Sequence, residues 1–150
     1  MGLRIGILTE KYAPDAGGLA SSSERLVAML GRAGHEVVVI TPSPKIPAGE
    51  SASETRERVT VTRFGVCRNQ GETLMDWSDL AVAAKKKHGL DLLHALSASY
   101  SAWAAVHAAR WCGLPSVIST RGADLDSSAT DPQRAAIVLW ALEKAEAVTA

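Results

Sequence analysis

Two adjacent glycines, Gly17 and Gly18, stand directly ahead of an amphipathic stretch. Lacking Cβ atoms, they let the backbone approach a ligand closely, and free amides at a helix start attract a phosphate or carboxylate. Ser21, Ser22 and Ser23 add hydroxyl donors in the first turn. The same pair also suits a plain flexible helix entry, and both readings stand on the residues alone. Arg121-Gly122-Ala123-Asp124 is the second feature. A guanidinium grips a carboxylate or phosphate through two parallel hydrogen bonds, and Gly122 lets the ligand close in. The competing reading is an internal pair, Arg121 with Asp124 or Asp126, that orders the loop. Glu10 and Lys11 after one apolar run, and Ser97, Ser99 and Tyr100 after another, are further polar candidates.

Other chemistries find less support. His94 lies inside an apolar run and reads as a satisfied core histidine. His35, His88 and His107 have no nucleophile or carboxylate partner at a useful spacing. Cys67 and Cys112 are far apart with no metal-ligand pattern, so they read as free thiols in a reducing cytoplasm. No metal site and no cofactor are expected. A nicotinamide-cofactor loop would need Gly-x-Gly-x-x-Gly and an acidic residue closing the second strand, where Thr41-Pro42 stands instead. A Gly-Lys-Ser/Thr nucleotide loop is missing as well, and after the nicotinamide-loop test an unrelated small-molecule oxidoreductase has little support.

The elements that must position these groups follow from periodicity. Leu3–Leu8 is a short branched apolar run and predicts a buried parallel strand. Leu19–Ala33 carries a helical stripe closed by Gly34. Residues 36–41 form a second strand, and 42–58, without a period, read as a mobile loop. Val59–Phe64 is a third strand. A capping box at Thr73–Asp76 opens a helix whose stripe runs through Trp77, Ala81, Ala84 and His88 to Gly89. Residues 91–96 and 116–120 are further strands, separated by a helix that Gly113 and Pro115 terminate. Residues 121–126 read as a loop, Asp131-Pro132 as a helix start and 147–150 as the beginning of a sixth strand. The four tryptophans all fall in helices, where packing against a sheet is their default role.

Strands alternating with helices predict a doubly wound α/β domain: a mostly parallel, Rossmann-like sheet of about six strands with helices on both faces. The 150 residues make one domain. At 47% hydrophobic and 21% charged the chain has a globular composition. Its sixteen basic and sixteen acidic side chains cancel, which argues against a nucleic-acid or anionic-membrane binder. No apolar run reaches the length of a membrane span, and the first residues lack a signal-peptide core. The expected setting is cytoplasmic.

Taken in order, Leu3-Arg4-Ile5-Gly6-Ile7-Leu8, Lys11 to Gly18, Leu30 to Val37, Asp91 to Ala95, Gly113-Leu114-Pro115 and Thr120 to Asp124 resemble one family. It is the amino-terminal domain of family-4-type glycosyltransferases with the two-domain B fold. The resemblance implies an acceptor-side domain in an enzyme that moves a sugar from a nucleotide-sugar donor, with retention and without a metal. Partners would be a small-molecule or glycan acceptor, the donor, and a carboxy-terminal donor domain that these residues lack. The fragment by itself would then be inactive. Gly17 and Gly18 match the family's glycine-rich loop, while Arg121, Gly122 and Asp124 match a loop lining its cleft. Many members carry His where Arg121 and Leu96 stand, and Ala123 replaces a familiar Asn, so no catalytic residue carries over. The alternative is a freestanding, non-catalytic binding domain of the same fold.

Overall fold

The computed structural model describes residues 2–150. Its strands are β1 (Arg4–Leu8), β2 (Glu36–Pro42), β3 (Ser51–Arg56), β4 (Val59–Phe64), β5 (Leu92–Ala95), β6 (Ser116–Ser119) and β7 (Ala147–Thr149). The helices are α1 (Gly18–Arg32), α2 (Gln70–His88), α3 (Tyr100–Cys112), α4 (Ala123–Ala129) and α5 (Pro132–Lys144). All seven strands form one sheet in the order β3-β4-β2-β1-β5-β6-β7. Every pairing is parallel except β3 with β4. The expected Rossmann-like α/β architecture is present, with one strand more than expected.

Alternation along the strands builds two apolar layers. Ile5, Ile7, Val37, Val39 and Val61 pack with Val27 of α1 on one face. Leu8, Val38, Ile40 and Phe64 face the other way, against Trp77 and Ala81 of α2, alanines of α3, and Val138 of α5. Ala102, Ala104, Ala105, Ala108 and Ala109 have no exposed surface, so α3 lies deepest. A Cβ at Gly6 would sit 2.5 Å from the Leu93 side chain, which explains the glycine in mid-strand. The Trp77 indole donates to the Ile40 carbonyl at 3.1 Å, tying α2 to the end of β2.

Three local expectations are corrected. Residues 51–56 form β3 rather than part of a loop; all six are exposed and polar or small, so no apolar period announces them. Backbone pairing to β4 holds them, helped by Ser53–Thr62 and Thr55–Thr60 hydroxyl contacts at 2.8 and 2.9 Å. The second helix starts earlier than the Thr73 box. Asn69 caps it, accepting from Gly71 N at 2.7 Å and Glu72 N at 3.3 Å, while the Thr73 hydroxyl accepts from Cys67 N. The segment after Arg121 also turns helical, as α4. Gly89 and Gly113, at φ 67° and 68°, close α2 and α3 as left-handed caps, as their positions predict.

Beyond β4, Gly65 permits a close approach: a Cβ there would lie 2.1 Å from the Pro47 carbonyl oxygen. The chain before β3 is fastened at this point by Ser43 N to Phe64 O, 2.8 Å, and Gly65 N to Glu50 O, 3.1 Å.

Candidate ligand site at the sheet switch point

Strand order reverses between β1 and β5, because β1 leads to β2 on one side while β5 lies on the other. Ligands of open α/β sheets bind outside the carboxyl ends of strands at such a point. The loops that meet there follow β1, β5 and β6, and they and the first turns of the helices after them carry the candidate residues singled out in the sequence.

Glu10 and Ser97 come together, and they close a site from within. The Glu10 carboxylate accepts from Ser97 Oγ at 2.8 Å, Ser101 Oγ at 3.0 Å and the Ser101 backbone N–H at 2.9 Å. Ser97 and Ser101 are buried. The amino end of α3 therefore already holds an anion, supplied by the end of β1. Asp124 is similarly engaged: it accepts from Ala98 N at 2.6 Å, Arg121 N at 3.0 Å and Leu125 N at 2.9 Å. Its partner in Arg121 is thus the backbone amide, whereas the internal pair considered for this loop required the guanidinium.

The Arg121 side chain reaches across the crevice instead. Its Nε donates to the Leu96 carbonyl at 2.8 Å, and Nη1 donates to Ser22 Oγ at 2.7 Å. Nη2 donates to nothing among the described residues. Gly122 takes φ 83°, a left-handed conformation that favours glycine, and opens α4 without a side-chain cap.

The amino end of α1 differs from that of α3. Gly17 is its N-cap at φ 116°, with no side-chain cap and no acidic residue in the first turn. A Cβ built on either Gly17 or Gly18 meets nothing within 4 Å, so the approach is open. Ser22 joins Arg121, and Ser21 is exposed. Ser23 points inward and shares a 3.2 Å contact with Thr9, so it offers nothing to a ligand in the crevice. Unpaired amides, the positive end of the helix dipole and a guanidinium therefore converge on one open mouth.

Sequence reasoning missed two contributors. Ser101 completes the Glu10 cage. Arg134, in the first turn of α5, donates through Nη2 to Ser99 Oγ at 2.5 Å and lies 5.1 Å from the Tyr100 ring centroid. Its Nε is buried without a partner among the described residues. An arginine in a helix's first turn opposes the dipole, and that was the available signal. His94 is hydrogen-bonded, with Nε2 2.7 Å from Ser119 Oγ, but it is half-buried and lies outside the two core clusters. Burial, and after it the charge of Arg121, hold its imidazole below the usual histidine range. On the outer side of the β1–α1 loop, Arg63 donates to the Ala13 carbonyl and lies 6.0 Å from the Tyr12 ring centroid. Among the described residues no group of three His, Cys, Asp or Glu side chains could hold a metal ion, and no helix is long and apolar enough to cross a membrane.

Comparison with known proteins adds a family. The model of the glycosyl transferase 4-like domain matches residues 17–150, and the chain belongs to that family. A GDP-mannose-dependent alpha-mannosyltransferase of Mycolicibacterium smegmatis is 30% identical over 122 residues, covering 77% of this chain and 31% of the relative. The chain thus spans about a third of that relative's length. Among solved structures, UDP-GlcNAc 2-epimerase from Methanocaldococcus jannaschii is similar at TM-score 0.65 and 9% identity, over 97% of this chain and 38% of that one. The catalytic domain of starch synthase IV from Arabidopsis thaliana, bound to ADP and acarbose, is similar at TM-score 0.55 and 16% identity. That likeness covers 81% of this chain and 34% of the synthase chain. At such identities these structures speak for the fold alone.

Proposed function

We propose, with membership of the glycosyl transferase 4-like family as the premise, that this chain is the acceptor-side domain of a retaining glycosyltransferase using a nucleotide-sugar donor. The observation that carries the reading is the open, uncapped mouth of α1 with Arg121 anchored beside it. A leaving nucleoside diphosphate gains negative charge as the glycosidic bond breaks, and preorganised amides and a guanidinium stabilise that charge as it develops. Gly17 and Gly18 supply the close approach, while Arg121 Nη1 and Nη2 face the phosphate oxygens. Glu10, Ser97, Gly122 and Asp124 hold the loops that frame the ligand. The reading includes a small-molecule or glycan acceptor, a second domain bearing most donor contacts, a cytoplasmic setting, and no metal or cofactor. No catalytic side chain is assigned.

The direct test is Gly18→Val in the full-length protein, assayed with a panel of nucleotide sugars. The added side chain fills open space, so thermal stability should hardly change. Turnover should fall on the order of 100-fold, the usual cost of one lost charge-stabilising donor. Unchanged turnover would overturn the role of the helix mouth. A freestanding binding domain makes the opposite prediction, phosphate binding with no transfer from any donor.

A further inference from the structure

A groove of about 770 Å³ runs along the outer side of α1, walled on its far side by the β3–β4 hairpin. Its floor is apolar, made by Val27, Val59 and Val61. Its rim is charged but nearly balanced, with four arginines and three glutamates. Tyr12 stands in its lining at the end nearest the β1–α1 loop. Only 8% of that residue is exposed; its hydroxyl has no protein partner among the described residues and stays open to solvent in the groove. The wall holds the ring while the hydroxyl, satisfied by water, is free to exchange that water for a ligand group.

We infer that this groove binds a polyhydroxylated chain, a short glycan, with Tyr12 donating to or accepting from one of its hydroxyls. The inference rests on the proposed transferase reading and names the acceptor class. Each sugar hydroxyl both donates and accepts, which suits a rim of interleaved guanidinium and carboxylate groups. The C–H faces of the rings need only a narrow apolar floor. A purely anionic ligand would meet Glu24, Glu54 and Glu57 along with the arginines. An acyl chain would strip water from the charged rim with nothing to replace it. The groove also ends at residues 12–14, in the loop that continues to Gly17 and Gly18. A chain lying in it has its end directed to the loop where transfer is proposed.

The test is hydrogen–deuterium exchange on the full-length protein with mannotriose, maltotriose, GDP and monomeric dihexanoylphosphatidylcholine, each added separately. At least one trisaccharide should slow exchange in residues 12–14 and 54–63, and GDP should slow it in 17–22. Tyr12→Phe removes a hydroxyl with no partner inside the protein, so the fold persists. It should weaken trisaccharide binding about fivefold to tenfold, the size of one hydrogen bond. Failure of both trisaccharides to protect the groove overturns the inference, as does protection by the lipid alone or an unchanged affinity in Tyr12→Phe. Protection by a trisaccharide without any GDP effect would instead remove the donor reading and leave the groove standing.

Discussion

Two helices of this domain begin at the same end of the sheet and treat their free amides in opposite ways. The start of α3 is filled by the Glu10 carboxylate, which takes the Ser101 amide and two serine hydroxyls. The start of α1 has glycines, no acidic residue and an arginine alongside. Both ends offer the same partial positive charge, so the difference lies in what the neighbouring strand delivers. An end already holding a carboxylate is architecture, and the end left open beside a cation is the one the proposed function gives to a ligand. Helix starts in such folds are thus to be judged by their existing occupant, not by their glycines.

The largest effect should come from removing that occupant. Glu10→Ala strips three hydrogen bonds from a carboxylate and leaves buried Ser97 and Ser101 without their acceptor. A loss of about 3 kcal/mol in unfolding free energy is expected, measured by urea denaturation. If the comparison holds, phosphate should stabilise this variant more than the parent, because α3 would then offer a second open mouth. Equal stabilisation by phosphate would break the contrast.

A smaller effect tests the open end. Arg121→Lys keeps the charge but cannot donate to Leu96 O and Ser22 Oγ together in the same planar fork. GDP affinity of the full-length protein should fall about tenfold by calorimetry, with little recovery relative to Arg121→Ala. Full retention of affinity in the lysine variant would reduce Arg121 to a loop brace.

The smallest effect concerns His94, which lies behind Arg121. Its imidazole is held below the usual range in the folded chain, whereas an unfolded histidine takes up its proton at about pH 6.5. Below that pH the unfolded state binds more protons, so the contribution is complete above about pH 6.5 and is lost as pH falls from there towards the folded value. His88 is shifted in the same direction, also chiefly by burial, so the residue must be separated by mutation. His94→Gln should flatten part of the acid slope in thermal melts between about pH 5 and 7. An unchanged slope would assign it elsewhere.

Where apolar periodicity was strong, the sequence was readable. Strands β1, β2 and β5 and helices α1, α3 and α5 follow from runs, stripes and glycine or Asp-Pro stops, because burial of one face leaves a pattern in residue type. Strand β3 left none. Ser-Ala-Ser-Glu-Thr-Arg is exposed on both faces, and its partner alone makes it a strand. The candidate site was half legible. Gly17, Gly18 and Arg121 marked an anion-friendly loop through their types, beside the plainer readings of a flexible helix entry and an internal pair, but Glu10 and Asp124 showed only that carboxylates were near. Their engagement with Ser97, Ser101 and Ala98 joins residues 26 to 91 positions apart, and no local spacing encodes it. Tyr12 was passed over because a tyrosine after a strand is unremarkable until its hydroxyl is found unbonded.

Gly65 bears on how this domain tolerates change. With the Pro47 carbonyl pressed where a side chain would begin, the segment before β3 behaves as a clasp. Lengthening it would loosen the hairpin that walls the groove, so inserted sequence would act on the proposed glycan site before it acted on the core. The two-residue bend at Glu57–Arg58, with Glu57 left-handed at φ 53°, is fixed by Val37 N to Arg58 O at 2.9 Å and lines the same groove. On the proposed glycan reading, both ends of the β3–β4 hairpin are therefore places where a change reaches the groove before it reaches the core.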